Sequence, residues 1–205
     1  MPNVIVYRRD LLPLSETFIL QQILNLRSWK ATLIGRSILK DTLNTDAIAS
    51  QILAEPKTLV HNIAKRLGLL ERFSQKNNIQ ILAKYKPNII HAHFGIDALE
   101  IAPLARAAGL PLAVTLHGYD INIYSDWWER GCGGTGMLTY PARLRKLSAE
   151  NWVQFIAISH AIKTRAIEQG IPENKIVVAH IGVDCNTFSV SSVPMTARRT
   201  ILFVG

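Results

Sequence analysis

The sequence predicts an α/β protein built on a parallel sheet with helices on both faces. Three observations point there. Short, wholly apolar runs alternate with helical stretches along the chain. Those runs lack the in–out alternation of half-exposed strands, so they are buried on both sides. The chain is also long enough, at 205 residues and 48% apolar, to close a sizeable core.

The elements follow in order. Val4-Ile5-Val6-Tyr7 is a first strand, and a helix runs from about Glu16 to Leu26, with Ser15 as its N-cap and Glu16 against the positive end of the dipole. Ala31 to Ile34, closed by Gly35, is a second strand, and helical material is expected from there through about residue 85. Pro87-Asn88 leads into a strand from Ile89 to His93, a helix covers about 97–108, and Gly109-Leu110-Pro111 turns the chain into a strand from Leu112 to Leu116. Residues 121–138, rich in glycine from Gly131 onward, are expected as one irregular loop. A helix carrying Arg143, Arg145 and Lys146 comes next. Val153 to Ile158 is a strand, Ser159 caps a helix ending at Gly170 with Pro172 beyond it, and Ile176 to Val178 is another strand. Residues 189–199 are a small, polar and basic linker, and Thr200 to Val204 is a last strand. The expected division is a domain at 1–188, a linker at 189–199, and the opening strand of a second domain at 200–205.

Composition excludes several functions. The formal net charge of +8 is spread along the chain, and no nucleic-acid-binding motif accompanies it, so nucleic acid is not expected as a partner. Two cysteines, Cys132 and Cys185, cannot make a disulfide framework. No apolar run reaches the length of a membrane span, and Arg8 and Arg9 follow the first apolar stretch, the reverse of a secretory signal. A soluble cytoplasmic protein is expected. Residues 57–73 form a basic amphipathic helix, with Lys57, Lys65, Arg66 and Arg72 mostly off its apolar stripe. It reads first as a surface helix, and second as a loose contact with the anionic inner face of a membrane.

Ligands of open parallel sheets bind beyond the carboxyl ends of the strands. Arg8-Arg9-Asp10 and then Leu14-Ser15-Glu16 follow the first strand. His91 and His93 end the third, before Phe94-Gly95. His117-Gly118-Tyr119-Asp120 follows the fourth, Ser159-His160 the fifth and His180 the sixth. Five of the six histidines thus fall at one edge of the sheet, which predicts a polar cleft there. His91 and His93 share a strand face, yet no carboxylate or cysteine in sequence completes a metal set, and no metal is expected. The glycines at 131–136 do not join strand to helix and do not form a phosphate loop. There is no nucleophile elbow, and the dinucleotide fingerprint is missing after the first strand.

Five stretches, in this order, resemble one family: Pro13-Leu14-Ser15-Glu16-Thr17-Phe18-Ile19, Ile89 to Gly95, Thr115 to Asp120, Phe155 to Ser159, and His180 to Asp184 followed by Phe188. The sequence resembles the amino-terminal domain of retaining GT-B glycosyltransferases of family 4 (group 1), nearest the exopolysaccharide branch of the colanic-acid and amylovoran type. Ile201 to Gly205 is similar to the first strand of that family's donor-binding domain. The resemblance implies a Rossmann-like domain, the amino-terminal half of a GT-B fold. It also implies a transferase moving a sugar, with retention, from a nucleotide-diphosphate donor to a glycan or lipid-linked acceptor in polysaccharide synthesis, with no separate cofactor. The donor would be held by the second domain, so this stretch alone would be inactive. His117 matches the family's histidine near the transferred sugar and is the expected catalytic residue. Ser15, Glu16, His91, His93, Gly95, Gly118, Tyr119, Asp120, Ser159 and His180 are expected around the substrates. Leu14-Ser15-Glu16 stands where the family commonly carries a Gly-Gly pair near the donor phosphates. Two other functions remain open: a stand-alone sugar- or nucleotide-binding module without catalysis, and a nucleotide-sugar epimerase of the same architecture.

Overall fold

The computed structural model describes residues 1–53 and 69–187. The linker and last strand expected at 189–204, Phe188, and Lys57, Lys65 and Arg66 of the basic helix lie outside the described residues, as does the side chain of Arg72.

Seven strands form one sheet: β1 (Asn3–Tyr7), β2 (Lys30–Gly35), β3 (Ser50–Ile52), β4 (Ile89–His93), β5 (Leu112–Leu116), β6 (Val153–Ala157) and β7 (Ile176–Val178). They lie in the order β3-β2-β1-β4-β5-β6-β7, and every pairing is parallel. Strand order therefore reverses between β1 and β4, which opens a crevice at their carboxyl ends.

The helices are α1 (Thr17–Leu24), α2 (Leu69–Tyr85), α3 (Gly95–Ala107), α4 (Tyr119–Asn122), α5 (Ser125–Glu129), α6 (Tyr140–Ser148) and α7 (His160–Glu168). Alternate strand residues feed two cores. Ile5, Tyr7, Ile90 and Ala92 pack with Ile101 of α3 and Leu144 of α6. Val4, Val6 and Leu33 pack with Ile19 and Ile23 of α1. Since Ile90 and Ala92 belong to the first core, the alternating His91 and His93 project from the face that α1 covers. No helix among the described residues is long and apolar enough to cross a membrane.

Three local expectations are corrected. Ser15 does not cap α1: it sits exposed in a 3₁₀ turn over Leu14–Glu16, and Glu16 is the N-cap without any side-chain cap bond. Residues 36–49 are not helical, and a short strand, β3, follows them. The backbone there pairs instead with the loop after β1, through Arg36 N to Arg9 O, Leu11 N to Ser37 O and Leu43 N to Leu12 O. Local bonds such as Asp46 N to Asn44 Oδ1 offer further alternatives to a helical ladder. Finally, 121–138 is not one irregular loop. Burying Trp128 to 1% exposure organises α5, and Gly133 lies flat against it, where a Cβ would come within 2.6 Å of the indole.

Candidate active site

The crevice floor is a row of three imidazoles. In the sheet register His91 lies beside Val6 and Ala113, and His93 beside Thr115. The His91 and His93 rings are 4.5 Å apart, and His91 Nε2 is 2.7 Å from Thr115 Oγ1. His93 Nδ1 lies 2.9 Å from His117 Nε2. Burial pushes His91 down to about 4 and His117 to about 4, and holds His93 well below the ordinary value. The Arg8 charge depresses His93 and His117 further, as would repulsion from His91 were it protonated. All three are neutral at pH 7. Whichever imidazole donates in the His93–His117 bond, His93 Nε2 and His117 Nδ1 are then left as one donor and one acceptor. Both atoms are buried without a hydrogen-bond partner.

The loops carrying these histidines are stapled together by Asp120. Its Oδ1 accepts from His117 N (3.1 Å) and Gly118 N (2.9 Å), and its Oδ2 accepts from Gly95 N (2.8 Å), so one carboxylate joins the loops after β4 and β5. The side chain is 1% exposed; burial raises its pKa, opposed by those backbone bonds. Tyr140 Oη donates to Asp120 O at 2.7 Å from beneath. A Cβ on Gly95 would lie 2.5 Å from that same hydroxyl oxygen, which is why glycine stands there. Gly118 has φ +145, a conformation that glycine takes without strain. Asp120, Gly95 and Gly118, expected around the substrates, thus build the loop geometry, and their polar atoms are spent within it.

Sequence reasoning missed the groups flanking His117. Arg8, at the end of β1, makes a two-pronged pair with Glu16 (2.8 Å for the shorter prong at Nη2) and a second pair with Asp97 (2.7 Å). Burial pushes Asp97 up to about 6 despite Arg8 beside it, so it stays ionised at neutral pH. Glu16 is therefore a buried partner of Arg8 and does not present a free carboxylate to a ligand. The Phe94 ring packs 4.6 Å from His117, with the Arg8 guanidinium 4.8 Å from it, and Phe18 of α1 packs 4.8 Å from His117. Phe94 adopts φ 70, ψ 142, a conformation that costs a non-glycine residue about 1–3 kcal/mol. The Arg8-Arg9 pair and the Phe94-Gly95 step were visible at strand ends. Nothing in the sequence said that they converge.

The remaining expected residues lie apart from this row. Tyr119 is 55% exposed and stands edge-on to Trp128, 5.7 Å away. Ser159 Oγ accepts from Ile162 N and caps α7 as expected. His180 is exposed; its Nδ1 lies 3.1 Å from Ile158 O, and its ring is 6.1 Å from His160. Among the described residues no group of His, Cys, Asp or Glu is arranged to hold a metal ion. An open groove of about 540 Å³ lies between α3 and α6, by Arg106 and Trp152, towards the amino-terminal edge of the sheet and away from the histidines.

A search of curated proteins finds no match. Among solved structures the chain is similar to Anabaena Alr3699/HepE in complex with UDP-glucose (18% identity, TM-score 0.64), covering 94% of this chain and 47% of that one. It is likewise similar to a glycosyltransferase from Rickettsia africae (18%, TM-score 0.59, 95% and 47%) and to a UDP-N-acetylglucosamine 2-epimerase from Rickettsia bellii (13%, TM-score 0.53, 88% and 45%). These likenesses establish the fold: a Rossmann-like parallel α/β domain matching half of a GT-B molecule. The chain spans about half the length of the structures it matches. The fold by itself is shared by transferase and epimerase structures alike. The model of Glycosyltransferase Family 4 matches residues 41–187, well over half of the chain, and the chain belongs to that family.

Proposed function

We propose that this chain is the acceptor-side wall of a retaining glycosyltransferase that moves a sugar from a nucleoside-diphosphate donor to a glycan or lipid-linked acceptor in polysaccharide synthesis. The observation that carries it is the neutral His117 imidazole, which follows β5 and packs against Phe94 after β4 and Phe18 of α1 beside the crevice where strand order reverses, in a chain of this family. The HepE complexes with UDP and UDP-glucose support a nucleotide-sugar donor.

Each group in the crevice has a definable task. A neutral imidazole can donate to, or accept from, a sugar hydroxyl without placing a positive charge beside an electron-poor anomeric centre. Phe18 and Phe94 pack against it and shield part of its ring from water, and exclusion of water favours transfer over hydrolysis. Asp120 fixes the loop that carries it. Arg8 is already paired with Glu16 and Asp97, so it does not stand free to meet the charge on the departing diphosphate.

The test is transfer by the full-length enzyme against a panel of nucleotide sugars. His117→Ala lowers turnover by about two to four orders of magnitude, the scale of a lost polar contact at the reacting sugar. Its stability falls by only about 1–2 kcal/mol, for the bond left open at His93. Unfolding with unchanged turnover per folded molecule would make His117 a purely structural residue.

A further inference from the structure

Phe94 has a backbone at odds with its side chain, and every backbone bond around it would survive its replacement by glycine. Phe94 N donates to Thr115 O at 2.9 Å, Ala98 N donates to Phe94 O at 3.0 Å, and Gly95 N donates to Asp120 at 2.8 Å. Glycine would adopt φ 70 freely and make the same bonds. What phenylalanine adds, at the expense of that strain, is a ring. The ring touches Arg8 and His117. An observed backbone outlier at a candidate site is a reason to look for a role.

We infer that Phe94 is a positioning residue: together with Phe18, its ring holds the His117 imidazole against His93 and keeps water from His117 Nδ1. This rests on His117 being the transfer-side histidine. Three facts converge on it. His117 Nδ1 is buried without a partner, so something apolar covers it. The Phe18 and Phe94 rings pack against His117 at centroid distances of 4.8 Å and 4.6 Å. Its remaining nitrogen is engaged by His93, so the imidazole is fixed by one polar bond and aromatic contacts. The titratable and charged groups facing His117 are Arg8 from the end of β1 and His91 and His93 from β4, while α1 contributes the uncharged Phe18. The Asp120 carboxylate meets the backbone of His117. Among the described residues no facing side chain therefore offers a carboxylate that would stabilise an imidazolium, and water is the group that Phe94 must exclude.

The experiment follows the His117 imidazole C–H signals by NMR in this 205-residue chain as pH is lowered. In the unsubstituted chain His117 titrates with a midpoint of about 4. In Phe94→Gly, which suits the backbone, and in Phe94→Ala, the midpoint rises by about a unit or more towards the exposed value. Phe94→Tyr restores it. An unshifted midpoint in both the glycine and alanine variants overturns the proposal. In the full-length enzyme, Phe94→Gly lowers kcat about tenfold or more, leaves KM for the acceptor within about twofold, and moves the acid limb of the pH–kcat profile upward. A shifted NMR midpoint with unchanged transfer would uphold the hold on His117 and overturn the transfer role of His117 itself, so the two failures are distinguishable.

Discussion

The β4–β5 and β6–β7 edges of the sheet carry the same kind of residue at the same kind of position, yet they are built differently. At β4–β5, His91 packs on His93 and His93 on His117, His117 also packs against Phe18 and Phe94, all three are neutral, and a fully buried Asp120 satisfies three backbone N–H groups around them. At β6–β7, His160 and His180 are exposed, their rings are 6.1 Å apart, and Ser159 performs an ordinary helix cap. A histidine at a strand's carboxyl end is thus no measure of membership in a site. The difference lies in what covers it: α1 and the Phe94 loop close over the first edge, and among the described residues His160 and His180 at the second stay exposed.

The largest expected effect falls on the staple. Asp120→Ala leaves the N–H groups of Gly95, His117 and Gly118 without their acceptor, and urea unfolding should show a loss of about 3–5 kcal/mol. A loss below about 1 kcal/mol would mean that the two loops hold themselves. Next comes Gly95→Ala, whose Cβ would lie 2.5 Å from Tyr140 Oη, with an expected loss of about 2–3 kcal/mol. Removing that oxygen in Tyr140→Phe should restore part of it, less the tyrosine's own hydrogen bond of about 1 kcal/mol, and a double-mutant cycle reads the coupling. Simple additivity would place the clash elsewhere.

Acid sharpens the contrast further. His91, His93 and His117 have folded pKa values below their unfolded value of 6.5, so the unfolded chain takes protons first and stability is lost as pH falls from 6.5 towards about 4. Asp97, raised from 3.8 to about 6, acts in the opposite sense: the folded state binds its proton first, and this group adds stability as pH falls from 6 towards 3.8. The net curve is the difference. His117→Gln should therefore reduce the acid loss between pH 6.5 and 4.5 by about 1–2 kcal/mol, a figure discounted for the part of His117 that solvent reaches. An identical pH profile would show that His117 is protonated as readily folded as unfolded.

The smallest effects belong to β6–β7. Ser159→Ala should cost about 1 kcal/mol, the usual value for a lost N-cap. His180→Ala should stay within about 0.5 kcal/mol in stability, since the side chain is exposed, and a larger change would join this edge to the site after all.

How much was legible beforehand follows from the range of the forces involved. Strand positions were readable because a doubly buried strand writes itself as an apolar run, and β1, β4, β5, β6 and β7 fall where such runs lie. The Ser159 cap was readable because it is bonded within one turn of helix. The Ser15 cap failed for a tertiary reason: Glu16 is drawn into Arg8, and the turn tightens to 3₁₀. The strand β3 and the non-helical 36–49 escaped for the same kind of reason, since their backbone bonds go to the loop after β1, which local propensity cannot see.

The sequence by itself determined a parallel α/β sheet and the family, because apolar periodicity and short motifs are encoded over a few neighbouring residues. Only the tertiary structure decided which histidines meet, that Asp120 is a staple, and that Arg8, Phe94 and Phe18 surround His117. Those contacts join residues 89 apart, as Arg8 to Asp97, or 99 apart, as Phe18 to His117. Burial, which sets their charge, exists only once the helices have closed over the sheet.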